Sequence, residues 1–311
     1  MGSRLFFTSS ELSEFVNCRH AARGTEAGRV NATTVGPRFS IVMPSYNQGP
    51  LIERSLLSVI NQDYPNVELI VMDGGSSDGT QAVLKKYAAD IALWRSERDG
   101  GQSDALNKGF KHVTGQICCW LNSDDIYCPG AFEFVAGIFR NRPEVQVVYG
   151  DWYTLDLGDR ISAQYFGLPY SRGQLITEGV FCNAQAMFWR RELHERFGEF
   201  DVRLHYTMDY DLILRLTRLS GRKGFYRTLR PLGCFRVYPG QKTGAASAVD
   251  TVASEHRLIA QRENTAWKYR VTGRAVRLYY RGKRVRDYFR RGGSAYVMWK
   301  LGVARNPVEG M

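Results

Sequence analysis

No stretch of this 311-residue chain approaches the roughly 18 consecutive apolar residues that cross a bilayer as a helix, so the sequence offers no helical span. Leu5-Phe6-Phe7 is too short for the apolar core of a secretion signal. Cysteine is sparse: six residues with no Cys-x-x-Cys pair, which excludes a dense disulfide framework and the usual zinc-ligand spacings and fits a reducing cytoplasm. The Gly-rich segment from Gly74 to Gly79 has neither the Gly-x-Gly-x-x-Gly spacing of dinucleotide binders nor the Gly-Lys-Ser/Thr ending of a P-loop.

The chain has 44% hydrophobic and 13% aromatic residues, enough for one sizeable α/β core. The net charge of +11 is unevenly placed, because residues 262–311 hold 13 Lys/Arg against 3 Asp/Glu. The basic character therefore belongs to the tail, not to the fold. Residues 1–36 are polar with little periodicity and read as a loosely ordered leader.

From Pro37 onward, short apolar runs alternate with segments of helical period. Runs at Phe39–Met43, Val67–Met72, Ile91–Trp94, Ile117–Leu121 and Val145–Tyr149 predict strands, and helices are expected near 51–60, 78–88, 102–112, 131–139 and 209–219. Such βα alternation predicts a Rossmann-like, doubly wound and mostly parallel sheet. Beyond Asp151 the pattern turns irregular and aromatic, as expected of an acceptor-side elaboration.

In open α/β sheets ligands bind beyond the carboxyl ends of the strands, which singles out the polar residues following each apolar run. These are Pro44-Ser45-Tyr46-Asn47, the Asp73–Thr80 segment and Asn122-Ser123-Asp124-Asp125. Adjacent carboxylates at the end of a buried strand repel each other and lose solvation unless a cation or donors balance them. Magnesium or manganese suits such oxygen ligands, but an Asp-Asp pair can equally close a turn. Asp73 stands at a strand tip where it can accept from a base or ribose, while Ser77 or Asp78 can cap the next helix. At the later helix, Asp211 has Arg215 four residues on and reads as structural.

The order of five segments resembles family 2 glycosyltransferases of GT-A fold: PSYNQ from Pro44, VMDGGSSDGT from Val71, ERDGGQSDALNKGF from Glu97, WLNSDD from Trp120 and MDYDLILRL from Met208. The resemblance spans Arg38 to Arg262. It implies an inverting transfer from a nucleotide-sugar donor, of the kind that builds cell-envelope polysaccharide on a glycan or lipid-linked acceptor. By the same resemblance Pro44, Tyr46 and Asp73 line the nucleoside pocket, Asp124 lies near ribose and diphosphate, and Asp125 holds a manganese or magnesium ion. Asp99, Gln102, Asp104 and Asn107 approach the donor sugar, although Asn107 can equally be a structural helix residue. Asp209 is the implied catalytic base, kept ionised by a helix dipole that lowers its pKa. Three positions depart from the pattern: Gly74 and Met208 stand where many relatives carry acids, and Tyr238 where some have His.

The tail from 263 to 311 mixes Arg/Lys with eight aromatic residues, a composition suited to the inner face of an anionic membrane. Packing of those aromatics on the domain is the second reading, and nonspecific nucleic-acid binding ranks last. Gly273, Gly282, Gly292 and Gly293 are expected to interrupt any long helix. The competing functions are a nucleotidyltransferase, which would want a basic phosphate loop after the first strand, and a nucleotide-sugar-binding scaffold without turnover.

Overall fold

The structure is a computed structural model and describes residues 7–17, 36–242, 248–263 and 266–307. In chain order its elements are α1 (Ser9–Asn17), β1 (Phe39–Ser45), α2 (Gly49–Ile60), β2 (Val67–Asp73), α3 (Thr80–Lys86), β3 (Leu93–Ser96), α4 (Gln102–Phe110), β4 (Ile117–Trp120) and β5 (Ile126–Tyr127). They continue as α5 (Ala131–Asn141), β6 (Val147–Leu155), β7 (Ile161–Tyr165), α6 (Arg172–Glu178), β8 (Met187–Arg190), α7 (Arg191–Phe197), α8 (Met208–Ser220), β9 (Phe225–Arg236), α9 (Ala248–Arg262) and α10 (Ala266–Lys300).

One sheet runs in the order β3-β2-β1-β4-β8-β6-β9-β5, with β7 beside β6. The first four strands are mutually parallel, in a register that aligns Ser45 with Asp73 and Asp73 with Ser96. Their carboxyl ends therefore share one edge. The other half is mixed: β8 is antiparallel to β4 and β6, β9 is parallel to β6, and β5 is antiparallel to β9.

Both faces are covered, which is why β1 reads as a continuous apolar run and not as an alternation. Phe39, Ile41 and Met43 turn to the layer of α2 and α5, among Ile52, Leu56, Phe132 and Val135. Val42 turns the other way, into a core with Leu106, Phe110, Trp120, Leu212 and Leu216. Each such side chain contributes roughly 1.5–3 kcal/mol by burial. α4 lies so close on β1 that a Cβ added at Gly109 would collide with Val42.

The second half explains what periodicity missed. β9 is twelve residues long but contains Pro231 and Gly233, and its pairing with β6 shifts register between Tyr149 and Trp152. Pro and Gly break the alternation by which strands are recognised.

The leader differs from its sequence reading. Ser9–Asn17 is a helix whose Leu12 and Val16 are fully buried against Ile126, Cys128, Tyr153 and Cys234. Leu12 and Val16 are four apart, so one face suffices to dock so short an element. Residues 18–35 lie outside the described residues. In the tail, the only break in helical backbone between Ala266 and Lys300 is at Gly293, with φ 70°; Gly273, Gly282 and Gly292 do not interrupt the helix as expected. Cys118, Cys119, Cys128, Cys182 and Cys234 are free thiols, all buried. No helix among the described residues is long and apolar enough to cross a membrane.

Candidate active site

A cleft of about 760 Å³ opens at the shared carboxyl edge of β1, β2 and β4. Its walls come from the three loops that the sequence singles out, from the segment between β3 and the start of α4, and from the end of β9 and the residues after it. The lining includes Pro44, Tyr46, Gly74, Gly75, Asp99, Gln102, Asn122, Asp124, Tyr238 and Lys242.

The β1 and β2 loops are locked together. Asn47 adopts a left-handed φ of 52° and its side chain accepts from the Ser77 amide at 3.0 Å, while its own amide donates to Ser76 Oγ at 2.7 Å. Asp78 accepts from the amides of Gly49 at 2.8 Å and Thr80 at 3.2 Å, joining the starts of α2 and α3. Pro44 and the 63%-exposed Tyr46 then face the cleft.

Asp73 ends β2, the strand tip at which the sequence reading has it, but it is not among the cleft-lining residues. It is buried at the tip of β2, where its Oδ2 accepts from the Ser76 amide at 2.9 Å and Ser96 Oγ at 2.5 Å, and its Oδ1 accepts from Ser76 Oγ. With these bonds it holds the loop, and the cleft wall itself is Gly74-Gly75. Asp99 covers that wall. A Cβ built on Gly74 would stand 3.0 Å from Asp99 Oδ2 and 3.2 Å from the Tyr46 ring, so the space of a side chain at 74 is filled by Asp99 and Tyr46. Burial pushes the Asp99 carboxyl above its ordinary value, and the neighbouring Asp104 and Asp73 add to the rise.

The donor-sugar candidates separate. Gln102 lines the cleft and donates to Asn122 Oδ1 at 2.7 Å. Asp104 accepts from the Gly100 amide at 3.0 Å and pairs with Lys108 at 3.3 Å, and is not on the cleft wall. Asn107 is buried and clamps Phe200, donating to its carbonyl at 2.9 Å and accepting from its amide at 2.7 Å. The structural alternative for Asn107 is the one its contacts match.

The acid pair is held by β5 and β9. Because Ile126 registers with Cys234, Arg236 and Tyr238 fall beside Asp125 and Asp124. Asp125 is fully buried and satisfied, with the Arg236 amide on Oδ1 at 2.9 Å and the Asn122 amide group on Oδ2 at 3.0 Å, joined there by Gln185. It does not line the cleft. Asp124 does, and accepts from the Tyr238 hydroxyl at 2.9 Å. Burial pushes both carboxyls up, and the Asp124 charge raises Asp125 further. Arg236, itself buried, donates to the Asp124 carbonyl at 2.9 Å and pairs with Asp159 at 2.7 Å. Asp159 also meets Arg54 at 3.1 Å and Asn17 of α1 at 3.2 Å, so the leader helix buttresses the acid loop.

No group of three His, Cys, Asp or Glu side chains suited to a metal exists among the described residues. The donor set fits an ion held by Asp124, substrate phosphates and water, as magnesium and manganese are commonly held, and does not fit an all-protein cage.

Asp209 is in the first turn of α8, with its Oδ1 accepting from the Tyr210 amide at 2.7 Å, and like Asp125 it is not among the cleft-lining residues. Contrary to the dipole expectation, its carboxyl is pushed up, chiefly by burial, with Glu255 adding to the rise and Lys242 opposing it. Glu255 of α9 accepts from the amides of His205, Tyr206 and Thr207 at 2.7–3.0 Å and so organises the start of α8. Asp211 pairs with Arg215 at 2.6 Å, as its spacing suggests. Gln185, Arg236, Asp159 and Glu255 carry no sequence signal, since each acts on residues far away in the chain.

The α/β fold, with its largely parallel sheet and its cleft at the parallel edge, is GT-A-like by its structural neighbours. Residues 40–198 match the profile of glycosyl transferase family 2, just over half of the chain. The chain belongs to glycosyl transferase family 2, and is a glycosyltransferase.

An uncharacterized glycosyltransferase of Rickettsia typhi is 30% identical over 221 residues, 68% of each chain. One from Mycobacterium tuberculosis is 29% identical over 185 residues, 58% of this chain and 70% of its own. Among solved structures, S. aureus TarS superposes with a TM-score of 0.57 at 19% identity, over 74% of this chain but only 40% of TarS. A shorter TarS form is known in complex with UDP-GlcNAc, with a TM-score of 0.55 at 20% identity over 72% of this chain and 65% of that one. The mannosyltransferase PcManGT of Pyrobaculum calidifontis, solved with GDP-Man and Mn2+, gives 0.52 at 20% identity over 88% and 78% of the two chains.

Proposed function

We propose that this glycosyltransferase moves a sugar from a nucleotide-sugar donor to a hydroxyl of a glycan or lipid-linked acceptor, with inversion at the anomeric carbon. The observation that carries the reading is the cleft at the β1-β2-β4 edge, where Tyr46 and Asp99 stand at one wall and Asp124, Tyr238 and Lys242 at another. It has room for a nucleoside diphosphate and a sugar. Tyr46 offers an exposed ring to a base, and Asp99 beside Gly74 is the carboxylate that can accept from its N–H groups. Asp124 is the acid that would hold a magnesium or manganese ion, and Asp125 sets its loop. Such an ion, when bound, offsets charge on the departing diphosphate. Lys242, which meets Gln102 at 3.3 Å, supplies a second positive charge to that end of the cleft. Asp209 takes the proton of the acceptor hydroxyl as that oxygen attacks; its raised pKa makes it a stronger base than an ordinary exposed aspartate.

The complexes of TarS with UDP-GlcNAc and PcManGT with GDP-Man support a nucleotide-sugar donor without choosing between bases. A thermal-shift screen of UDP-, GDP- and dTDP-sugars, each with and without manganese, tests the reading, because a ligand bound only by the folded state raises its stability. A metal-dependent shift with one nucleotide class is expected. Absence of any shift across the panel would refute the donor assignment.

A further inference from the structure

α10 meets the domain with one face and solvent with the other. On the inner face Tyr296 is buried and stacks on Phe166 at 4.4 Å, Arg291 pairs with Asp151, and Asp287 pairs with Arg227 at 3.2 Å. Trp299 contacts Tyr165 edge-on at 5.6 Å. Tyr296 and Trp299, two of the tail aromatics, therefore pack on the domain. The side chains of Trp267 and Tyr269 lie outside the described residues.

The outer face is unlike the inner one. Leu278 is 69% exposed, Val285 39% and Phe289 59%. At 3.6 residues per turn these three and Gly282 fall in one line along the helix. Arg281 flanks the line on one side; Tyr279, Arg286 and Arg290 flank it on the other, all exposed. From Leu278 to Arg290 the sequence has five Lys/Arg and one acid, Asp287, which pairs with Arg227 on the inner face.

We propose that this face of α10 docks on an anionic lipid bilayer, the apolar line reaching the acyl boundary and the arginines the headgroup phosphates. Charge complementarity selects an anionic partner. The apolar line selects a bilayer over a nucleic acid, whose backbone would engage the arginines and leave Leu278, Val285 and Phe289 in water. The surface stands independently of the donor reading.

The test is co-sedimentation of the full chain with phosphatidylcholine vesicles, with and without about a third phosphatidylglycerol. Binding to the anionic vesicles alone is expected, weakening as salt rises. The Arg286→Gln/Arg290→Gln variant should bind about thirtyfold more weakly. The Leu278→Ser/Phe289→Ser variant should lose at least about tenfold. F289W gives a readout without truncation, and its emission should shift to the blue on anionic vesicles only. Equal binding to both vesicle types, an unshifted F289W, or a serine variant that binds as the parent does while duplex DNA displaces the vesicles would each overturn the proposal.

Discussion

His194 sits in α7, buried in an aromatic cluster, and its protonation should lower the acid stability of the protein. Its ring stacks on Phe110 at 4.0 Å with Trp189, Phe197 and Phe200 around it. Its Nδ1 has no hydrogen-bond partner among the described residues. Burial, helped by the charge of Arg215, pushes the imidazole pKa down to about 4. An unfolded histidine titrates near 6.5, so between those values the unfolded chain binds the extra proton and stability must fall with the pH. The stability conferred by neutral His194 is complete above about pH 6.5 and is lost as pH falls toward 4. Linkage with these two pKa values gives a loss of about 2.5 kcal/mol between pH 7 and about pH 4.5. Carboxylates titrate in the same window, so the assay is urea unfolding of parent and His194→Phe at both pH values. The variant keeps an aromatic ring in the stack and should match the parent within about 1 kcal/mol at pH 7. At the acid end it should be the more stable by about 2–3 kcal/mol. Parallel loss in both proteins would refute a neutral, buried imidazole.

The two adjacent acids should separate. Asp124→Asn should weaken metal-dependent donor binding and leave the unfolding midpoint unchanged, whereas Asp125→Asn, which sets an amide against bound donors, should cost roughly 2 kcal/mol or more of stability; the reverse pattern in thermal-shift titrations would return the ion to Asp125. Asp209→Asn should retain donor affinity and lose about 100-fold or more of transfer, and the acid limb of the parent's rate profile should lie above the ordinary aspartate range; near-normal turnover removes Asp209 from the mechanism. Gly74→Val should displace Asp99 and Tyr46 and weaken donor binding, measured by the same titrations, and unchanged affinity would show that neither side chain reads the donor. Gly109→Ala, pressed against Val42, should cost about 1–3 kcal/mol by chemical denaturation despite better helix propensity.

The sequence by itself determined the parallel half of the fold and the place of the cleft. Four apolar runs too continuous for one-sided strands, each followed by a helix-period segment, have few solutions other than a sheet covered on both faces, and that topology puts Pro44, Gly74 and Asn122 on one edge. Tertiary structure decided which acids face the cleft. Asp73 and Asp125 read in the sequence as polar residues following apolar runs, but in the fold they are buried and accept from hydroxyls and amides of Ser76, Ser96, Gln185 and Arg236. Three of those four donors lie 23 or more residues away along the chain. The same limit hid α1, whose two buried side chains are too few for a period, and Glu255, whose hydrogen bonds to the start of α8 close only when α9 folds back. Periodicity reports which face of an element is buried, whereas the partner that satisfies a buried carboxylate is set by contacts between elements that local sequence does not encode.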